Sequence, residues 1–473
     1  MPVNLDKPLA WKTATGDASE MLSQLQPNIV KAHVRDHLQV LFLQFSDKTE
    51  ARTFLRKLRG KMKSAKIALR EADAFKTNGT PGTPYVGVGL SFQGYKKLGI
   101  AQAKIPANSA SGPFKSSMRS DASTSTLQDP PVAQWEETFR HTIHAVVLIG
   151  DTNEAAVAAK RAEIDALMTP KIKLLGVETG LGQQNARGDG IEHFGYIDGR
   201  SQPLVLSEDI AEERHQRDGA TVWNPAFGLG RVLVADSAAP KPAQQFGSFF
   251  VFRKLEQNVR GFMQAEEDLA GALGLQGEDR KRAGAMIVGR FRDGTPVAIQ
   301  SSDGAHSPIP NDFDYDSDDQ GGKCLFHGHI RKTNPRGKGG AEPQKDERLH
   351  LMVRRGQTYG TRADDPNDPS VPLSSRPTAG VGLLFMAFNS ELANQFEFTQ
   401  STWANNPGFP AVPAGAAAPG LDQVIGQGTR PKAASALTWG GASSKPIAAA
   451  PQAVTMKGGE YFFMPSLAFL KNL

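Results

Sequence analysis

Along this chain, short apolar runs repeatedly give way to a spacing of three and four. Residues 38–45 read LQVLFLQF, an apolar run of strand length. Ser46 and Asp47 then offer capping side chains, and Ala51, Phe54, Leu55, Leu58 and Met62 share one helical face. The same change of period follows at residues 143–149, with Asp151, Thr152 and Asn153 ahead of an alanine-rich helix that carries Val157, Ile164, Leu167 and Met168. Beyond Pro203 it recurs twice, as strand 248–252 before helix 257–273 and strand 381–388 before helix 391–403. Two strand-helix units per half predict an α+β architecture of antiparallel sheets with helices packed on them. Residues 108–131, 178–190, 301–322 and 405–445 show no period. The first and last of these, rich in Ser, Pro, Ala and Gly, predict surface connections.

A length of 473 residues exceeds one ordinary core and predicts two domains. The 39% hydrophobic and 22% charged content is that of a globular protein rather than a disordered or membrane-embedded one. The net charge of +5 is scattered, which argues against a nucleic-acid partner. The densest basic stretch, residues 52–70, reads as the solvated side of an amphipathic helix. Cys324 is the only cysteine, so neither an intramolecular disulfide nor a cysteine metal cluster can form. Residues 1–17 show no leader pattern and no apolar stretch reaches membrane length, so the expectation is a cytoplasmic protein without a membrane partner.

Two segments carry the candidate chemistry. In Gly195-Tyr196-Ile197-Asp198-Gly199, a carboxylate sits on a tight turn between glycines, where the backbone can approach a flat ligand closely. In residues 324–336, His329 precedes Arg331, Lys332 and Arg336, a histidine ligand for iron followed by cations suited to carboxylates. Alone, such a histidine is usually one satisfied by hydrogen bonds, and an Asp-Gly pair usually a turn. Together and in this order, GYIDG and HIRKTNPR resemble the motifs of the dye-decolorizing peroxidase family. Similar blocks are QPNIVKAH at residues 26–33, GSFFVFRKLEQ at 247–257, RRGQTYG at 354–360, GLLF at 382–385 and GEYFFMPS at 459–466.

The resemblance, to one of the family's longer subgroups, implies two ferredoxin-like domains. These are residues 1–205, ending in the GxxDG motif, and residues 206–473, which would hold haem b. It assigns His329 as the proximal iron ligand, Asp198 as the acid-base and Arg354 as the distal charge stabiliser. It also gives Arg336 to a propionate, Leu383 and Phe385 to the distal wall, and Glu397 to the ring N–H of His329. Leu325, His327 and Gly328 depart from the family pattern, which makes His327 a competing ligand, and Arg200 stands where an apolar residue is usual. The implied reaction reduces hydrogen peroxide and oxidises small aromatic donors such as phenols or dyes. Bulky donors would be served by a surface relay drawn from Trp135, Trp223, Trp403, Tyr359 and Tyr461. The rival readings are a haem carrier without turnover, which has no need of Asp198 and Arg354, and a partner-binding protein that keeps the fold without haem. Asp312, Asp314, Asp316 and Asp318 alternate as calcium ligands do, but Lys323 falls where an EF-hand needs glutamate. Residues 337–340 are too short for a phosphate-cradling loop.

Overall fold

The computed structural model describes residues 2–106, 112–216, 220–337, 344–412, 419–430, 433–436, 439–441, 444–447 and 450–473. The aspartate loop discounted as a calcium site lies within these stretches, whereas much of the discounted glycine loop and parts of 405–445 lie outside them. Eight strands dominate, four from each half of the chain: β1 (His37–Phe45), β2 (Tyr85–Leu90), β3 (Ala145–Asp151), β4 (Ile172–Leu181), β5 (Phe246–Gln257), β6 (Gln357–Tyr359), β7 (Gly382–Asn389) and β8 (Val454–Met464). The apolar runs match β1, β3, β5 and β7 to within a few residues. Among the helices are α1 (Lys48–Arg59), α2 (Ala65–Asn78), α3 (Glu154–Asp165), α4 (Ser207–Gln216), α5 (Val259–Leu273) and α6 (His329–Thr333). Asp47, Asn153 and Asn258 accept from backbone N–H groups one turn on, capping α1, α3 and α5. The stretch expected to be one helix at 391–403 is instead two π-helical segments, Ala393–Glu397 and Thr399–Ala404. Such i→i+5 winding often marks functional sites.

Around the sheet the order is β2-β3-β1-β4-β6-β7-β5-β8, every pairing antiparallel. Each half therefore repeats the order second, third, first, fourth, which is the ferredoxin-like arrangement. The halves join edge to edge through Gly180 opposite Tyr359 and Leu90 opposite Phe463. The result is a closed barrel in which no half keeps an open edge. One hydrophobic core runs through both halves. Phe42 of β1 meets Phe252 of β5 edge to face at a centroid distance of 4.9 Å, and Phe139 stacks on Phe252. Gly458 has φ +148°, and a Cβ there would lie 2.2 Å from the Phe139 ring, so the bulge in β8 needs glycine.

Strand alternation sets what faces the site. Phe252, Leu384 and Met386 are fully buried in the core. On the opposite face, Arg253, Leu255 and Gln257 of β5 and Leu383 and Phe385 of β7 line a cleft.

Candidate active site

The cleft encloses about 1670 Å³ of space between atoms, part of it open to solvent. His329, Asp198, Arg354, Leu383 and Phe385 all line it, with Ile330 and Val424 among its apolar members. Five of the predicted site residues, drawn from segments up to 187 positions apart, thus meet in one place. Glu397 and Arg336 do not line it.

His329 opens α6, a single short turn held by Lys332 N–H to the Gly328 carbonyl and by the Thr333 hydroxyl to the His329 carbonyl. Its Nδ1 lies 2.9 Å from Asp422 Oδ2, and Asp422 is fully buried. Burial alone would push the Asp422 carboxyl up, but His329 and the N–H groups of Val424 and Ile425 together hold it below its ordinary value. The carboxylate fixes the ring and leaves Nε2 as the nitrogen available to the cleft, the outer-shell arrangement that strengthens a metal-ligating imidazole. Glu397 was the expected partner and is not. It accepts from the Tyr461 hydroxyl at 2.7 Å, because the π-helical turn carries it toward β8. Asp422 lies in a stretch without period, 93 positions from His329, and its only local signature is the Asx turn it caps at Val424 and Ile425. On the expectation that His329 ligates haem iron, Asp422→Asn should weaken haem binding by about 10- to 100-fold, read by Soret titration of the protein freed of haem. An unchanged affinity would remove Asp422 from the ligand's support.

The expected propionate cations are corrected in the same way. Arg336 is fully buried between the Trp223 and Phe313 rings, and its guanidinium donates to the Asn311 and Phe313 carbonyls, Asn311 Oδ1 and the Ser201 hydroxyl. Arg331 bonds Asp318 and the Cys324 carbonyl between two aromatic rings. Lys332 donates to the Trp403 and Asn406 carbonyls, and burial pushes its ammonium down to about 7. These cations knit the segment after His329 to its surroundings. His327 is buried outside the cleft lining, and burial takes its pKa down to about 4. His350 also lines the cleft, stacked on Phe398 at 3.6 Å with Nδ1 on the Asn394 carbonyl. The five aromatic residues offered as surface relays are each at most 7% exposed, so none is a surface residue. Asp312 caps the 221–223 turn and Asp318 holds Arg331, and among the described residues no cluster of metal-ligating side chains forms.

Asp198 sits on a turn in which Gly195 and Gly199 have φ of +94° and +82°. A Cβ at Gly195 would lie 2.3 Å from Asn367 Oδ1. The Asp198 carboxylate is exposed and accepts from Gly199 N–H at 2.6 Å, so the side chain caps its own turn while facing the cleft. Arg354 reaches the same turn, its Nη2 lying 3.1 Å from the Arg200 carbonyl. Alternation sends its neighbour Arg355 the other way, onto the Asn28 and Ile29 carbonyls.

Beneath the turn, Glu192 accepts from Phe194 N–H, Tyr196 N–H and Gln257. Burial raises its carboxyl to about 7 against these donors. Because the folded value is raised, its contribution to stability is present at low pH and is lost as pH rises through 7. The wild type should lose about 2 kcal/mol relative to Glu192→Gln between about pH 5 and 7, read by urea melts at both values. A gap that does not change with pH would contradict this.

Comparison with known proteins decides the family. Over the whole of both chains the protein is 57% identical to the multifunctional dye peroxidase DyP2 of an Amycolatopsis species, and the structure of that protein superposes with a TM-score of 0.96. This chain belongs to the dye-decolorizing peroxidase family. It is a peroxidase by that membership. A family profile, the DyP dimeric alpha+beta barrel domain, matches residues 24–180. The DyP-type peroxidase of an Anabaena species is 36% identical at a TM-score of 0.89, covering 98% of this chain and 96% of that one. The dye-decolorizing peroxidase msp1 of Mycetinis scorodonius is 30% identical over 98% of this chain and 89% of its own. Among the described residues no helix is long and apolar enough to cross a membrane.

Proposed function

We propose that this dye-decolorizing peroxidase uses haem b to reduce hydrogen peroxide and oxidises phenols and dyes, with His329 as iron ligand, Asp198 as acid-base and Arg354 as charge stabiliser. One observation carries the reading: a histidine oriented by a buried carboxylate shares a cleft with an exposed carboxylate and an arginine tied to the same turn. The residues present suit the group. Apolar walls at Ile330, Val424, Leu383 and Phe385 match a flat macrocycle, and an imidazole with Nδ1 taken by carboxylate offers Nε2 to iron. When bound, the haem would supply the redox chemistry, giving two electrons to hydrogen peroxide and recovering them one at a time from the donors. Asp198 takes a proton from the near peroxide oxygen and delivers it to the departing one. Arg354, a planar guanidinium with donors preorganised as a fork, meets the negative charge that develops there. Leu383 and Phe385 keep bulk water from that charge. A relative 25% identical has been seen with 2,6-dimethoxyphenol, in keeping with phenolic donors here.

The test is the absorption spectrum of the haem-loaded protein before and within milliseconds of one equivalent of hydrogen peroxide. A Soret band that shifts and then recovers on adding a phenol is expected. A band that only bleaches slowly favours a carrier, and no band overturns the haem assignment.

A further inference from the structure

Arg200 lies in the wall of the cleft, and its side chain turns back into the protein. Its Nη1 meets Glu213 Oε1 of α4 at 2.6 Å and its Nε donates to the Ile309 carbonyl at 2.9 Å. Both side chains of this ion pair are largely buried, at 12% and 7% exposure. Glu213 also accepts from Asn311, whose own side-chain oxygen meets the Ser201 hydroxyl and Arg336. Ser201 is a non-glycine residue at φ +69°, a conformation that surrounding bonds must hold. The peptide between Arg200 and Ser201 is thus clamped from both sides. Its carbonyl is the one that accepts from Arg354 Nη2 at 3.1 Å.

We infer that the Arg200–Glu213 ion pair is a positioning device for peroxide chemistry, which aims the Arg354 guanidinium by fixing the carbonyl it leans on. The inference rests on the role proposed above for Arg354. A pair buried this deeply releases its segment when either member is lost, because the partner's charge cannot remain unpaired in the interior. The turn then relaxes, Arg354 loses its fixed acceptor, and a donor that must stand ready where charge develops no longer does. Arg200 itself bonds no reacting atom. Its effect passes through Arg354.

The test uses haem-loaded full-length protein and two readouts: the second-order rate constant with hydrogen peroxide, followed at the Soret band, and cyanide affinity. Arg200→Ala and Glu213→Ala should each lower the peroxide rate constant by about tenfold and weaken cyanide binding in step, with the donor KM unchanged. Arg200→Lys, which keeps the charge, should recover most of the loss. Arg200→Ala added to Arg354→Leu should cost nothing further, because the two act in series. If Arg354→Leu is slow but Arg200→Ala and Glu213→Ala react at the wild-type rate, the positioning role is wrong and the role of Arg354 stands. If Arg354→Leu itself reacts normally, the underlying reading fails. An undiminished Arg200→Ala penalty in the Arg354→Leu background also overturns the inference. Should Arg200→Ala fail to load haem, Glu213→Gln decides, since it removes the charge while keeping an oxygen for Asn311.

Discussion

Asp198→Asn is expected to lower the second-order rate constant for hydrogen peroxide by about 10²–10⁴, the range that general acid-base catalysis supplies. The substitution is a clean one here. The carboxylate is exposed, and its one described hydrogen bond is from Gly199 N–H, which an asparagine side-chain oxygen can still accept. The turn is held by Gly195, Gly199 and Ser201 in left-handed conformations and by Arg336 and Arg290, which donate to the Ser201 hydroxyl, and none of this involves the Asp198 side chain. Haem content, cyanide affinity and melting temperature should therefore stay close to wild type while the peroxide rate falls. Stopped-flow Soret kinetics of the loaded variant measure it directly. A rate within a factor of about three of wild type would reassign the proton transfer to another group, and His350, on the same cleft, would be the first to examine.

The selectivity of that prediction depends on how the chain divides its labour, and the division is only partly written in local sequence. Strands and helices that bury a continuous face declare themselves. The LQVLFLQF run became β1, Asp47 became the cap of α1, and the second half repeated the strand order of the first. Closure of the barrel did not show, because it depends on two single-residue contacts between strand edges, Gly180 with Tyr359 and Leu90 with Phe463. The motif residues His329, Asp198 and Arg354 were legible because their surroundings are fixed in sequence. Their partners were not. Asp422 reaches His329 from an aperiodic stretch, and a surface glutamate, a tyrosine partner and a histidine partner look alike as one letter at Glu397. Arg336 illustrates the converse error. A cation two positions after Asn334 looked available to an anionic ligand, yet it lies between two aromatic rings with its donors on backbone carbonyls and Ser201. Charge in a sequence says nothing of which carbonyls the fold leaves unmatched, and buried arginine with its five donors is well suited to collect them.

Arg354→Leu should cost about 10²–10³ in the peroxide rate constant, comparable to losing one preorganised donor at a developing oxyanion. The residue occupies the short strand Val353–Arg354 paired with Phe388 and Ala387, so its backbone is fixed by β7 and by the Gln202 side chain accepting from its N–H. Leucine keeps the length of the stem and its apolar contacts, which isolates the guanidinium as the lost element. Arg354→Lys separates charge from geometry. A lysine restores a cation but presents a point charge without the planar fork, so it cannot hold the Arg200 carbonyl and a peroxide oxygen together. It should recover part of the loss, on the order of tenfold above the leucine variant, with cyanide affinity following the same ranking. Equal rates for the lysine and arginine proteins would mean that charge alone suffices and that the bond to the 200–201 peptide is incidental. Equal rates for the lysine and leucine proteins would mean that geometry alone decides and that a point charge at this position contributes nothing.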